Sequence, residues 1–441
     1  MSVRKNLTEF VMLKEITIEN FKSFAEPVTF SLEADEGKVS EYPEHVIEKC
    51  DNKLLKISSF YGPNGGGKSN LLKAIEFVGR VGLSSFVDYT QLVSEEVPFE
   101  PCKMTSNDVI SITSFFASDS YEIGYSFKTK MVNDPSGIMP MDKFLYTRKF
   151  LVPAIVEEGI VYRKKGESDF HELLSRDEAG KLQGDAFSVL NISAPGFALS
   201  PSVSAISYMM KTFYNVQNAN SSYGLDILRD LWMNLYGIET MNSYVPSLIM
   251  ESMVQELTPY TQQLVQELND CGIIISDLHF VKNKESFYDV FLERKNASGD
   301  SFQINLDNES SGTRKTFSLL ASLLTNSGKS KIYLADDLDA YLHPKLTRYL
   351  ISYFTSEKNV NNQLIFNSHD IINMTNELFR RDEIWFAFKD ESFATRLVPL
   401  SSIVDYKGEP VRKDAKFSKQ YMEGRYGADP FIKKASSWYH D

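Results

Sequence analysis

The chain has 441 residues, of which 42% are hydrophobic and 24% are charged, as is usual for a globular protein of two or three domains. Its net charge of −12 argues against a broad surface that coats nucleic acid, although a local basic groove is compatible with it. Cys50, Cys102 and Cys271 stand far apart, which argues against a disulfide framework or a zinc site, and since no apolar run could span a membrane we expect a cytoplasmic protein without a membrane partner.

The first predicted elements surround a glycine-rich segment. Alternating apolar residues predict a strand within Met12–Phe24 and a hairpin partner at Val28–Leu32. The charged stretch Glu33–Lys53 is expected to be an irregular surface excursion. Leu54–Tyr61 then predicts a buried strand, and Asn70–Val81 has the apolar spacing of a helix.

The segment between this strand and helix has the G-x-x-x-x-G-K-[ST] pattern of a phosphate loop (Walker A). Backbone N–H groups of such a loop and the start of a helix surround one anion, which favours this interpretation over a glycine-rich surface turn. Lys68 is predicted to reach the β- and γ-phosphates of ATP, and the Ser69 hydroxyl to bind Mg²⁺. The residues predicted to bind the nucleotide here are Gly62, Pro63, Asn64, Gly65, Gly66, Gly67, Lys68, Ser69 and Asn70.

The middle of the chain predicts an antiparallel sheet followed by helices. Its β-rich runs are Val109–Phe116, Tyr121–Phe127, Tyr146–Val152 and Gly159–Arg163. From Asp169 to Cys271 the pattern becomes mostly helical, and we interpret its apolar stripes as core packing. The helices are predicted at Val203–Val216, Leu225–Tyr236 and Ser247–Leu268.

The last third of the chain returns to strands, with two helices among them. The predicted strands are Ile273–Phe280, Phe287–Arg294, Ser301–Leu306, Lys331–Ala335, Gln363–Phe366, Glu383–Phe388 and Thr395–Leu400, and the helices are Gly312–Thr325 and Leu346–Phe354. We therefore predict an N-terminal ATPase lobe at 1–168, a helical insertion at 169–272, a C-terminal ATPase lobe at 273–400 and a tail at 401–441.

Four short stretches in this last third complete a nucleotide site, one of which is Leu342-His343-Pro344 just after Walker B. The strand Lys331–Ala335 ends in Asp336 and Asp337, the Walker B pattern, in which Asp336 holds Mg²⁺ and Asp337 orients the attacking water. By itself this is also what a buried strand ending in solvated acids looks like. Glu309–Thr313, which we call the signature segment, offers N–H groups at a helix start, or simply caps that helix. His369 follows a buried strand and is predicted to sense the γ-phosphate.

The order of these motifs resembles the ABC-type ATPase heads of the SMC, RecF and OLD group. The resemblance includes the opening Glu19-Asn20-Phe21-Lys22-Ser23-Phe24 and covers about residues 12 to 430. It is closer to the stand-alone AAA-type ATP-binding proteins of bacterial abortive-infection and phage-defence systems, including AriA-like ATPases of the PARIS type. Those proteins share the style of the signature segment and of Leu338-Asp339-x-x-Leu342-His343-Pro344.

This resemblance implies an α/β P-loop NTPase of ABC-ATPase head type, with a mixed central sheet, a flanking antiparallel sheet and a mostly helical insertion. It also implies that two subunits sandwich two ATP molecules with Mg²⁺, as a homodimer or higher homo-oligomer. Lys68, Asp337 and His369 would then be catalytic. The further nucleotide contacts that the resemblance implies are Lys22, Ser23, Ser310, Ser311, Gly312 and Asp339.

Two positions depart from the family pattern. The second acid of Walker B is usually glutamate, whereas this chain has Asp337, one methylene shorter. Because catalysis is sensitive to small misplacements, we expect slow turnover, as in a switch that holds ATP. The Q-loop has no clear match, and Gln91 is a candidate only by its position.

The sequence leaves competing functions open. The first is a sensor or regulatory ATPase in anti-phage defence that controls a separate effector, such as a nuclease or toxin, and responds to DNA or a phage-encoded trigger. The second is a RecF- or SMC-like ATPase that clamps DNA in repair. The net charge of −12 weighs against the second, although Lys73, Arg80, Lys128 and Lys130 could form a local patch. A transporter subunit fits worst, since Ser310-Ser311-Gly312-Thr313 departs from the transporter signature.

Overall fold

The structure is a computed structural model. It describes residues 11–35, 42–83, 100–133, 151–185, 198–201, 203–213, 223–241, 248–283, 287–326, 329–357, 359, 361–404 and 408–428. Gln91 and the first part of the strand predicted at Tyr146–Val152 lie outside these residues.

The central sheet has six strands, five of them parallel. Antiparallel pairing with the last strand makes it a mixed sheet, as predicted. Its innermost strands are apolar and fully buried because other layers cover both faces. In spatial order the strands are β11 (Ile238–Thr240), β16 (Ile332–Ala335), β17 (Gln363–Asn367), β5 (Ile57–Tyr61), β18 (Ile384–Lys389) and β19 (Thr395–Pro399).

A seven-stranded antiparallel sheet flanks this core, again as predicted. Its strands alternate buried and more exposed residues, since one face packs on the core and the other does not. In spatial order they are β10 (Leu182–Gln183), β9 (His171–Arg176), β8 (Leu151–Lys164), β7 (Tyr121–Asn133), β6 (Ile110–Ala117), β1 (Met12–Glu19) and β2 (Val28–Ser31).

Gln363 joins the two sheets. This fully buried side chain accepts a hydrogen bond from the Leu13 N–H at 2.8 Å and donates to the Leu13 carbonyl at 2.9 Å and the Leu55 carbonyl at 3.2 Å. A glutamine fits here because its amide both donates and accepts, as a strand edge requires. The first strand of the flanking sheet is thereby fixed to the start of β17.

The helices cover the central sheet and a third, smaller sheet. That sheet consists of β12 (Leu248–Met250), β14 (Phe287–Lys295), β13 (Asp277–Lys282) and β15 (Ser301–Asn305). The helices are α1 (Lys68–Leu83), α2 (Ala205–Phe213), α3 (Tyr223–Leu235), α4 (Glu251–Leu257), α5 (Thr261–Asp270), α6 (Ser311–Thr325), α7 (Pro344–Thr355) and α8 (Phe417–Met422). Within the described residues, none of these helices is long and apolar enough to cross a membrane.

The stretch 169–272, predicted as mostly helical, also contributes strands to all three sheets. β9 and β10 extend the antiparallel sheet. The pairing of β8 with β9 shifts register between Ile160 and Val161, and the consecutive residues Leu173 and Leu174 are both buried, so β9 lacks the alternating pattern of a strand. β11 has only three residues, too few for a periodic signal. The boundaries of the four predicted domains stay a prediction.

Two local predictions need correction. Ser247–Leu268 is not one helix, because β12 precedes α4 and a 3₁₀ turn at Thr258–Tyr260, which contains Pro259, separates α4 from α5. Glu33–Lys53 is not wholly irregular either. It contains β3 (Val46–Lys49) and the first half of β4 (Asn52–Leu55), which form a two-stranded hairpin before β5.

Candidate functional site

The phosphate-loop residues lie between β5 and α1, at the carboxyl end of the central strands, where open α/β sheets bind ligands. Gly62, Gly65 and Gly67 have φ values of 140°, 76° and 107°, which disfavour any other residue. The loop also packs tightly on β18 and β19. A Cβ on Gly62 or Gly66 would lie 2.1 or 2.4 Å from the Ala387 carbonyl oxygen, and one on Gly67 would lie 2.1 Å from Thr395 Oγ1.

The Lys68 side chain folds back over the loop. Its ammonium group donates to the carbonyl oxygens of Gly62 at 2.9 Å and Pro63 at 3.1 Å. Burial lowers the pKa of Lys68, and the nearby Asp336 and Asp337 carboxylates oppose that shift. The lysine that is predicted to bind phosphates therefore occupies the loop and faces the acidic end of β16.

Ser69 and Asp336, the predicted metal ligands, are in direct contact. The Ser69 hydroxyl donates to Asp336 Oδ1 at 2.8 Å, so the first turn of α1 meets the end of β16. The Asn367 amide, at the end of β17, donates to the same carboxylate oxygen and lies 3.5 Å from Ser69 Oγ. Asn367 Oδ1 also accepts from the Asp337 N–H. Sequence analysis missed Asn367, although a polar residue ending a buried strand was the available signal.

Asp337 and His369, the predicted water-orienting acid and phosphate sensor, face each other across neighbouring strand ends. Asp337 Oδ1 lies 3.8 Å from His369 Nε2, and about half of each side chain is exposed. Asp337 has a left-handed backbone with φ of 48°, an uncommon conformation for a residue other than glycine. The His369 N–H donates to Asp339 Oδ1 at 3.1 Å, which connects it to residues 338–342, called the D-loop here.

The signature segment leads into α6 and packs against the D-loop of the same chain. Ser310 caps the helix by accepting from the Thr313 N–H at 3.1 Å, so the alternative role of an N-cap is present. A Cβ on Gly312 would lie 2.6 Å from the Tyr341 carbonyl oxygen. Ser310 is exposed, while Ser311 and Gly312 are half-buried.

Lys315 strengthens this contact and was missed by sequence analysis. Its ammonium group donates to the carbonyl oxygens of Asp337 at 2.8 Å and Ala340 at 3.2 Å, and the residue is 1% exposed. Burial lowers its pKa, while Asp339, Asp337 and Asp336 oppose the shift. A lysine four positions before Leu319, on the buried stripe of a helix, was the available signal.

Ser23 lies behind the phosphate loop, together with Asn70. The Ser23 hydroxyl accepts from the Asn70 amide at 2.7 Å and lies 2.8 Å from Thr395 Oγ1, which in turn lies 3.0 Å from the Gly66 carbonyl oxygen. Ser23 is 7% exposed, so this contact holds the loop against β19. No feature of the sequence singles out Thr395.

Lys22 is engaged with an acidic residue. Its ammonium group forms an ion pair of 3.4 Å with Glu100, and burial lowers its pKa. Lys22 and Asn20 both have left-handed backbones, with φ of 52° and 56°. Their short turn places Lys22 beside Glu100 and Ser23 beneath the phosphate loop.

Asn20, in the opening motif Glu19–Phe24, has a structural role. Its amide donates to the carbonyl oxygens of Asn107 at 2.7 Å and Val109 at 2.8 Å, and accepts from the Cys102 N–H and the Thr105 hydroxyl. Both N–H groups and both oxygen lone pairs of this buried side-chain amide are thereby used. Asn20 fixes the segment 100–109 next to Lys22, so its role is to hold the turn in place.

Comparisons with known proteins agree with this fold. The model of the family described as "AAA domain, putative AbiEii toxin, Type IV TA system" matches residues 230–373, about a third of the chain. The match contains the signature segment, Walker B, the D-loop and His369, but not the phosphate loop. No curated protein matches the chain.

Solved structures that resemble the chain include SMC heads. An SmcHead bound to the C-winged helix domain of ScpA has 12% identity and a TM-score of 0.41, covering 88% of this chain and 97% of that one. An SMC head domain from Thermotoga maritima has 14% identity and a TM-score of 0.35, covering 88% and 98%. An Smc head with an extended coiled coil, bound to the C-terminal domain of ScpA from Pyrococcus furiosus, has 13% identity and a TM-score of 0.39, covering 88% and 96%.

TM-scores below 0.5 are too low to assign a function from these three structures. The fold rests on the chain's own topology, with a phosphate loop after β5, an acidic pair after β16, and β17 between them. The predicted fold class of an α/β P-loop NTPase with a mixed central sheet and a flanking antiparallel sheet is confirmed.

Proposed function

We propose that the chain binds and hydrolyses ATP and acts as a nucleotide-dependent switch. The observation that carries this proposal is the meeting of Ser69, Asp336 and Asn367, which brings Walker A, Walker B and the intervening strand together at one point. A strand ending in solvated acids would not require this contact. Lys68 lies over the same loop, ready to exchange its carbonyl partners for phosphate oxygens.

The residues present fit ATP with Mg²⁺. The phosphate loop lies at a helix start, where backbone N–H groups can bind an anion. It packs so closely on β18 and β19 that Gly62, Gly66 and Gly67 have no space for a side chain. Ser69 and Asp336 provide the hard oxygen ligands that Mg²⁺ prefers. When bound, Mg²⁺ would neutralise charge on the phosphates.

Asp337 and His369 are the candidates for the hydrolytic step. Both are exposed at the carboxyl end of the sheet and within 3.8 Å of each other, so a water near Asp337 also lies near the histidine. The Lys315 and Asn367 contacts hold the Asp337 backbone in its left-handed conformation. In this arrangement Asp337 orients the water and His369 contacts the γ-phosphate.

We further propose that ATP holds two copies of the chain together. Ser310, Ser311 and Gly312 of one copy would then contact the nucleotide of the other, with Asp339 at the seam. Two apolar side chains near these residues support such an interface: Tyr341 in the D-loop is 71% exposed, and Ile372 after His369 is 67% exposed. Tyr341 also has a φ of 65°, a strained conformation of the kind that marks functional sites.

The biological role we propose is a sensor in anti-phage defence, with a separate effector, located in the cytoplasm. The description of the matching family, which names a type IV toxin–antitoxin system, supports a role in such systems. The RecF- or SMC-like alternative finds less support, because Lys128 is paired with Glu157 at 2.7 Å and Arg80 with Glu76 at 2.5 Å. Two of the four residues of the local basic patch are thus already neutralised.

The experiment is light scattering of the full chain and of Lys68→Ala, with and without Mg-ATP, together with phosphate release. We expect mass to rise with Mg-ATP in the wild type alone, and phosphate release to depend on Lys68. An assembly indifferent to both ATP and Lys68 would refute the ATP-held dimer. Phosphate release equal in both proteins would refute the assignment of the nucleotide site.

A further inference from the structure

Two adjacent basic residues in the first turn of α6 have different surroundings. Lys315 is buried and bound to the carbonyl oxygens of its own Walker B segment and D-loop. Arg314 is half-buried, and within the described residues its guanidinium group has no hydrogen bond, ion pair or ring contact. Among the described residues nothing engages this group, so it is available to a ligand from outside the chain.

Arg314 lies on the same side of α6 as the signature segment. Its N–H bonds to the Ser310 carbonyl at 3.0 Å, which places it one helical turn after that cap. Lys315, one position further, is rotated by roughly 100° toward the D-loop. Arg314 therefore shares the face with Ser310 that the proposed dimer directs at the nucleotide of the other copy.

The charges around the phosphate loop show why such a cation is needed. Asp336, Asp337 and Asp339 act on Lys68, which is itself buried. Lys22 is already paired with Glu100. The triphosphate adds more negative charge, so the site within one chain has fewer cations than anions even after Mg²⁺ is counted. A planar guanidinium group that binds two phosphate oxygens at once is suited to supply the missing charge.

We propose that Arg314 contacts the γ-phosphate of the ATP bound by the other copy of the chain. This inference rests on the ATP-held dimer proposed above and assigns a catalytic residue to it. Arg314 stabilises the negative charge that spreads over the γ-phosphate oxygens as the bond to the β-phosphate breaks and water adds. In other ATPases and GTPases an arginine supplied in this way raises turnover by about 10³-fold or more.

The test mixes two variants that are each expected to be inactive but to keep an intact phosphate loop and associate with Mg-ATP, Asp337→Asn and Arg314→Ala. In a mixed dimer, the intact phosphate loop and Asp337 of the Arg314→Ala copy face the intact Arg314 of the Asp337→Asn copy. Half of the dimers in an equal mixture are mixed, and each has one complete site of two, so about a quarter of wild-type phosphate release returns in a two-fold dimer. Arg314→Lys should recover only part of the activity, because lysine lacks the planar fork.

Each outcome bears on one proposal. Arg314→Ala with wild-type turnover, alongside an inactive Lys68→Ala, would overturn the role of Arg314 and leave the ATPase proposal intact. An inactive mixture whose variants still associate with Mg-ATP would overturn the action across the dimer. Loss of ATP-dependent association in the wild type itself would instead refute the dimer. Arg348→Ala is the matched control, since this arginine on α7 pairs with the exposed Glu377 and should leave turnover unchanged.

Discussion

The Lys315 ammonium group, buried in α6, donates a 2.8 Å hydrogen bond to the carbonyl oxygen of Asp337 at the end of β16. The helix that begins with the signature segment is thereby attached to the acid predicted to orient water. In the proposed dimer these two elements serve different ATP molecules. In that dimer, a movement of the signature segment at one site would displace the Asp337 backbone at the other.

Lys315→Met should slow turnover by about tenfold or more, because Asp337 loses the contact that fixes its backbone and small misplacements are costly. The Asp337 carbonyl oxygen keeps its hydrogen bond from the Ala340 N–H, but the Ala340 carbonyl oxygen loses the lysine donor, which should lower the free energy of unfolding by about 1–3 kcal/mol. Urea unfolding and phosphate release measure the two effects. Lys345→Met, at an exposed position, is the control, and equal behaviour of the two variants would contradict this role.

Gly67→Ala and Gly65→Ala separate backbone strain from steric conflict. Both glycines have positive φ, but a Cβ on Gly67 would lie 2.1 Å from Thr395 Oγ1, whereas one on Gly65 meets nothing within 4 Å. We expect Gly65→Ala to cost about 1–3 kcal/mol of strain and Gly67→Ala clearly more. The affinity for a fluorescent ATP analogue should follow the same order. Equal losses would show that β19 does not confine the loop.

Asn367→Ala should weaken the Mg²⁺-dependent part of nucleotide binding by about 10–100-fold, since the amide orients the Asp336 carboxylate. The measurement is the dissociation constant for ATP with Mg²⁺ and with a chelator, and only the former should change strongly. Asn362→Ala tests the opposite end of β17, where the side chain accepts from the Lys331 N–H at 3.1 Å. If Asn362→Ala has the same effect, the change reflects β17 as a whole.

Asp337→Glu should raise turnover, because one more methylene brings the carboxylate closer to a water at the γ-phosphate. The exposed position of Asp337, open toward His369, leaves room for the longer side chain. Single-turnover phosphate release measures the chemical step separately from product release. Turnover at or below the wild-type value would refute the idea that the short acid slows this enzyme.

Glu158 should make stability depend on pH. Burial raises the pKa of its carboxyl from 4.5 to about 7, against Arg176, the Tyr125 hydroxyl and the Ala205 N–H, which favour the charged form. The folded state then holds a proton that the unfolded state has released, so stability falls as pH rises from about 4.5 to about 7. This decline amounts to at most about 3 kcal/mol in the free energy of unfolding, and Glu158→Gln should remove it. Urea unfolding between pH 5 and 8 tests it, and parallel curves for the two proteins would contradict it.

The sequence predicted the parts of the site that follow short buried strands or a glycine pattern. The phosphate loop was predicted from its glycines and Lys68, and Asp336 and His369 from their positions at the carboxyl ends of buried strands. Asn367 and Lys315 were missed because their roles depend on contacts with elements far away in the chain. Thr395 was missed for the same reason, since only the folded chain brings β19 against Gly66.

The strands of the fold divide in the same way into those that the sequence predicted and those that it did not. Alternating runs such as Ile110–Ala117 were predicted well, whereas β9 was hidden by a register shift and β11 by its length of three residues. β11 pairs with β16, and Thr240 at its end lines a cavity of about 200 Å³ together with Ser69 and Asp336.

The position of Gln363 has a mechanical consequence. β17 carries His369 just beyond one end and Gln363 at the other, and the strand is stiffened by parallel neighbours on both sides. A shift of His369 by a fraction of an ångström would move β17 along its axis. The hydrogen bonds between Gln363 and Leu13 would then displace β1. The flanking antiparallel sheet would thus respond to the state of the bound phosphates without contacting them, and a partner bound to that sheet could detect the change.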